Sequence, residues 1–171
     1  MQEQVIRALE ARGVTIDDIA EIVYTLQKPY VPQLTLEMCR QSVKAVLAKR
    51  EAQHAILTGL ALDVFAETGS LPSPLQEIVS RDEPLYGVDE ILALAITNIY
   101  GSVGLMSFGY LDKRKLGIIG RLNSNAHSVH TFLDDLVAGV AAAAAARLAH
   151  QFGRVRSLEA EDEGAAASQS S

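Results

Sequence analysis

The run Thr131-Phe-Leu-Asp-Asp-Leu-Val-Ala-Gly-Val-Ala-Ala-Ala-Ala-Ala-Ala-Arg-Leu-Ala149 decides the fold. Alanine is the strongest helix former, and the adjacent acids Asp134 and Asp135 stand where carboxylates favour a helix N-terminus. A helix that is apolar around its whole circumference has no face to offer water, so it must be enclosed. Its side chains are small, so neighbouring helices can approach its axis closely. The expectation is an all-α protein, a compact helix bundle whose alanine-rich central helix is surrounded by the others. Thr131-Phe-Leu-Asp134 reads as a capping box opening that helix.

Upstream the same signals recur. Thr15-Ile-Asp-Asp18 predicts a second capping box, followed by an apolar stripe at Ile19, Ile22, Val23 and Leu26 that Pro29 and Pro32 bring to an end. Thr35 predicts an N-cap for a helix carrying Leu36, Cys39, Val43, Val46 and Leu47, and Ala52 to Ala66 continues as a further helix closed by Gly69. A turn-rich Ser70-Leu-Pro-Ser-Pro74 precedes a short helix, Leu75 to Ser80. Ile91 to Leu111 contains no charged residue; Asp89, Glu90, Asp112 and Lys113 bracket it and glycines interrupt it, so a buried helix broken near Gly101 and Gly104 is expected rather than a membrane span. The single domain is expected over residues 1–157, with a disordered acidic tail over 158–171.

Hydrophobic residues make up 49% of the 171 and aromatic ones 5%, which favours aliphatic helix packing and leaves apolar area for a subunit interface. A homo-oligomer is expected, which a mass measurement in solution checks. The net charge is -6, and four of the 21 acidic residues lie between Glu159 and Glu163, so the rest nearly balances the 15 Lys and Arg. Such a body offers no broad basic surface, and nucleic acid is not expected as a partner. Cys39 is the only cysteine, at an apolar-flanked helical position, and reads as a small core residue. The charged first segment lacks a signal-peptide core, so a soluble, cytoplasmic protein is expected.

Candidate chemistry lies between Val88 and Val140. Asp89-Glu90, Leu111-Asp-Lys-Arg-Lys115 and Leu133-Asp-Asp135 mix carboxylates with cations. Oxygen ligands of this kind suit a Mg²⁺ ion, while Lys113, Arg114, Lys115 or Arg121 could neutralise a phosphate. Asp112 and Lys115 share a helix face if the segment is helical. The alternative for each acid is a plain helix cap or a solvated ion pair. His130 and Asp134 have a spacing that could chelate a transition metal, but no Cys or second His completes such a set; His127 and His130 read as loop histidines. No nucleotide-loop or nucleophile-elbow motif is present.

Leu111-Asp112 with Lys115, then Leu133-Asp-Asp-Leu-Val-Ala-Gly-Val140, resemble the signatures L-D-x-x-K and I-D-D-[IL]-V-A-G-V of the phosphatidylglycerophosphatase A family. Val88-Asp-Glu-Ile91 resembles its upstream acidic motif, in the same order and at similar spacing. The resemblance covers mainly Tyr86 to Ala149 and is closest to a soluble, YutG-like branch built as a compact bundle. It implies Mg²⁺-dependent removal of phosphate from phosphatidylglycerophosphate, or a related phosphate ester, at the inner membrane face. It further implies a site made of Asp89, Glu90, Asp112, Lys115, Asp134 and Asp135, with Lys115 on phosphate and the five acids holding the metal or activating water. Leu116 stands where the family's proline follows the motif lysine, and the charged N-terminal helices replace the Gly/Pro-rich motif and spanning segments of membrane members. A soluble phosphate ester as substrate, or a non-catalytic helical module for regulation or assembly, are the alternatives.

Overall fold

The structure, a computed structural model, describes residues 1–123 and 128–168, with side chains described as far as Gly153. Among the described residues it is helical with no strand. In order the helices are α1 (Gln2–Ala11), α2 (Ile16–Gln27), α3 (Leu36–Leu47), α4 (Arg50–Glu67), α5 (Leu75–Ser80), α6 (Val88–Thr97), α7 (Gly101–Arg114), α8 (Ile118–Asn123) and α9 (Leu133–Ser168). A 3₁₀ turn, Asn98–Tyr100, joins α6 to α7. The acidic tail expected over 158–171 lies outside the residues whose side chains are described, and His127 lies outside the described residues.

The core is organised around α9. Leu133, Leu136, Val137, Ala138 and Ala141 to Ala146 have no exposed surface. The helices α6 and α7 lie most extensively against it, followed by α3 and α2, while α4 and α8 close the remaining sides. Contact this close needs small residues at the crossings. A Cβ built on Gly139 would stand 3.0 Å from the carbonyl oxygen of Ala93, and one on Gly59 would stand 2.7 Å from the Leu136 side chain. Thus α6 approaches α9 nearly backbone to backbone, as expected for an alanine-rich axis, while on α4 the missing side chain of Gly59 makes room for Leu136 and Phe132.

The capping box at the start of α2 is formed: the Asp18 amide donates to Thr15 Oγ1 and the Thr15 amide to Asp18. Thr35 caps α3. The box read at Thr131 is not formed. The Thr131 hydroxyl donates instead to the Val79 carbonyl at 2.7 Å, and α9 begins two residues later. A carboxylate from another helix takes over the cap, as described below.

By length and composition Val88–Arg114 could cross a membrane. Here it is interrupted at Gly101, whose φ of 71° only glycine adopts easily, while Gly104 sits inside continuous helix. Both halves pack on α9, yet Ile91, Val103, Leu105, Met106 and Tyr110 keep large exposed surfaces.

Candidate active site

Three helix ends and one loop meet at a cavity of about 490 Å³. The first turn of α6 contributes Asp89 and Glu90, the last turn of α7 contributes Asp112 and Lys115, and the first turn of α9 contributes Asp134 and Asp135. All six residues singled out from the sequence therefore line one space. The loop between α5 and α6 adds Asp82, Glu83, Pro84, Leu85 and Tyr86. Tyr86 is steadied by an edge-to-face contact with Phe132, their ring centroids 5.9 Å apart.

The packing of α6 on α9 explains part of this convergence. One helical turn separates Asp89 from Ala93 and Asp135 from Gly139, and Ala93 rests on Gly139. The close approach therefore sets the two acid-bearing turns beside each other.

Lys115 is the hub. Its Nζ lies 2.9 Å from Asp134 Oδ2, 3.0 Å from Asp112 Oδ1 and 3.9 Å from Asp135 Oδ1. The residue ends α7 in the left-handed region, φ 46° and ψ 54°, which turns the chain away while the side chain reaches the acids. A Cβ on Gly120 would stand only 2.6 Å from the Lys115 carbonyl oxygen, so glycine there permits this turn. Lys113 and Arg114 are exposed and Arg121 pairs with Asp18 at 2.7 Å; none of the three lines the cavity. Of the cations considered from sequence, only Lys115 reaches the site.

The electrostatics are unbalanced. Asp89, Asp134 and Asp135 are buried, and among the described residues Lys115 is the only cation lining the cavity. Burial, then the charge of Asp134, pushes the Asp135 carboxyl up to about 8, against the pull of Lys115. Burial also raises Asp134, with Lys115 opposing it. Burial alone would favour the neutral amine of Lys115, but the charge and hydrogen bond of Asp134, with Asp112 and Asp135, outweigh it and hold its pKa above the usual lysine range.

One residue of this region escaped the sequence reading. Asp63 of α4 is fully buried, and its two oxygens accept the amides of Phe132 at 3.1 Å and Leu133 at 3.0 Å. It therefore caps α9 from another helix. Burial pushes its carboxyl up to about 7, although both amides and Arg12 pull it down. A sequence signal did exist: Asp63 falls seven residues after Ile56, on the core-facing stripe of α4, where a carboxylate needs a partner.

These raised pKa values carry a pH dependence. Between an unfolded carboxylate pKa of about 3.9 and the folded values of about 7 for Asp63 and about 8 for Asp135, the folded state binds more protons than the unfolded one. Stability in a divalent-free buffer is therefore expected to fall as pH rises from about 5 to about 8. Calorimetric melting in EDTA across that window checks this; a transition temperature that climbs with pH contradicts it.

His130 contacts the Leu122 carbonyl through Nδ1 at 3.1 Å, and Asp134 is engaged with Lys115, so the two form no chelating pair. Cys39 is buried in the core and its thiol is pushed up to about 11 by burial, as a packing residue would be.

The family model for phosphatidylglycerophosphatase A matches residues 5–150. Two relatives from Bacillus subtilis (strain 168) are the uncharacterized proteins YpjQ and YutG. YpjQ is 59% identical over 142 residues, covering 83% of this chain and 80% of its own. YutG is 55% identical over 144 residues, covering 84% and 87%. The crystal structure of the low temperature requirement C protein from Listeria monocytogenes superposes with a TM-score of 0.86 at 57% identity, over 89% of this chain and 96% of that one. A match this long, carried by relatives this similar, places the sequence: the chain belongs to the phosphatidylglycerophosphatase A family.

Proposed function

We propose that the protein is a Mg²⁺-dependent phosphatase that hydrolyses a phosphate monoester, with phosphatidylglycerophosphate as the first candidate substrate, at the cytoplasmic face of the membrane. Family membership supports the phosphatase class. The observation that carries the reading is the convergence of carboxylates from three helices on one cavity around a single lysine. A dispersed set of helix caps would instead have favoured a non-catalytic module.

The donor chemistry fits a hard divalent cation. Every candidate ligand is a carboxylate oxygen, and the buried negative charge exceeds what Lys115 neutralises. The acids close on Lys115 rather than on an empty point: among the described residues no three His, Cys, Asp or Glu side chains are already gathered at ligand distance. Asp89, Glu90, Asp112, Asp134 and Asp135 would hold the ion, which when bound polarises a phosphate oxygen and acidifies water.

The residues of the chain then have distinct tasks. Lys115 binds a non-bridging phosphate oxygen, exchanging part of its contact with Asp134 and Asp112 for the substrate's charge. A carboxylate facing the cavity accepts the proton of the attacking water; the new bond joins water oxygen to phosphorus, the ester P–O bond breaks, and the alcohol leaves with a proton. The rim supports an ester with an apolar part, because Leu85 is fully exposed beside the acids, with Val88 and Ile91 exposed nearby. A soluble ester would give these side chains no role.

The test is phosphate release from short-chain phosphatidylglycerophosphate and from glycerol 3-phosphate, with Mg²⁺ and with EDTA. Release is expected from the lipid ester with Mg²⁺, and Asp112→Asn, Asp134→Asn and Asp135→Asn each lower it by about 100-fold. Release from glycerol 3-phosphate alone would move the substrate to the soluble class. No release from either, or three variants with undiminished activity, overturns the reading.

A further inference from the structure

We infer that Asp63, Glu67 and Arg12 form a latch that sets the rotation of the first turn of α9, making them positioning residues for Asp134 and Asp135. The inference uses the phosphatase reading only for its kinetic consequence.

Asp63 and Glu67 lie one turn apart on α4, and both take backbone amides from the lead into α9 and its first residue. Glu67 Oε1 accepts the Val129 amide at 2.8 Å, and Arg12 Nη2 donates to the Val129 carbonyl at 2.7 Å. Arg12 is itself gripped by Glu67, Nη1 to Oε2 at 2.9 Å. Val129 is therefore held at both its backbone groups, and Phe132 and Leu133 are held by Asp63. Thr131 between them is fixed to Val79. Asp134 is the next residue, so the rotation of this segment decides whether its carboxylate meets Lys115 or turns away, since each helical residue advances about 100°.

A buried cap could in principle be made by a neutral side chain, as the unformed Thr131 box would have done. The site uses a carboxylate for which burial is costly, held in place by two amides. Two acceptor oxygens of one rigid group define an orientation, whereas a single hydroxyl leaves the segment free to rotate about one bond. Arg12 and Glu67 also form an ion pair between the end of α1 and the end of α4, with Arg12 the better shielded of the two.

Asp63→Asn keeps the shape but gives one of the two amides an NH₂ group instead of an acceptor. The experiment compares it with wild type and with Val46→Ala, a core change in α3 chosen to lower the melting temperature comparably. Two readouts are followed at a temperature where all three proteins are folded: kcat and KM for phosphate release, and the acylation rate of Lys115 by an N-hydroxysuccinimide ester, read by mass spectrometry. The latch predicts that Asp63→Asn lowers kcat by about tenfold to 100-fold with little change in KM. It also predicts several-fold faster labelling of Lys115, because Asp134 no longer shields the amine. Val46→Ala should move neither. Wild-type kcat and labelling in Asp63→Asn, or equal changes in Val46→Ala, overturn it. If Asp63→Asn does not fold, Glu67→Gln, which weakens the hold on Val129, is read by the same criteria. Should wild type release no phosphate from any ester, the phosphatase reading fails while the labelling rate still decides the latch.

Discussion

Lys115→Met is expected to lower Mg²⁺-dependent phosphate release by about 100-fold to 1,000-fold, the usual cost of removing a charge aimed at a developing phosphate charge. The length of the side chain is nearly kept, so the loss reports the ammonium rather than a cavity. Its absence has a second effect. Asp134 and Asp135 would be left buried with no cation between them, and breaking such a pair costs about 3–5 kcal/mol when the remaining charge has no partner. In EDTA the variant should therefore melt well below wild type at pH 8, and the gap should narrow toward pH 5 as the two acids take up protons. Added Mg²⁺ should stabilise the variant more than wild type, since the ion then faces carboxylates that no lysine competes for. Activity near the wild-type level, or a melting gap indifferent to both pH and Mg²⁺, would remove Lys115 from the centre of the site. Lys115→Arg is a useful companion: it keeps the charge, but its planar fork cannot reproduce a point contact to three acids.

Gly139→Val is expected to damage the core where α6 crosses α9. A Cβ alone at this position stands 3.0 Å from the Ala93 carbonyl oxygen and 3.3 Å from its Cα and Cβ, and valine adds two methyl groups where backbone already presses on backbone. Overpacking of this kind costs about 3 kcal/mol, which for a chain of this size is a fall of roughly 10 °C in melting temperature. The effect should reach the site as well. Separating α6 from α9 at Ala93 moves Asp89 away from Asp135, so the concentration of Mg²⁺ needed for half-maximal activity should rise together with the loss of stability. The smaller Gly139→Ala change separates the two consequences: it gains up to about 1 kcal/mol of helix propensity and asks α6 to give way by only tenths of an ångström. A Gly139→Val protein that melts like wild type would show that α6 and α9 are not in contact as described.

Much of this architecture was legible in the sequence for a simple reason. Helix start signals and apolar spacing are local, and Thr15 with Asp18, Thr35, Pro29 and the alanine run each act within a few residues of themselves. The six candidate residues were singled out through a motif resemblance, and their gathering at one cavity is what the structure adds. Among the cations the sequence left four candidates standing; position on a helix end, which local pattern does not settle, admits Lys115 and leaves Lys113, Arg114 and Arg121 outside. The Thr131 box failed because a local cap competes with a tertiary one. Asp63 brings two acceptors to the amides of Phe132 and Leu133 at the same helix start, while the Thr131 hydroxyl goes to Val79.

What the sequence by itself determined is that the chain forms helices, where most of them start and stop, and that the alanine-rich one must be enclosed, because propensity, capping and all-round apolarity are properties of neighbouring residues. Only the tertiary structure decided which acids share a space, which lysine neutralises them and what caps α9. Those outcomes depend on pairs such as Asp63 with Leu133, Lys115 with Asp134 and Ala93 with Gly139, residues far apart in the chain whose meeting is set by how closely whole helices can approach.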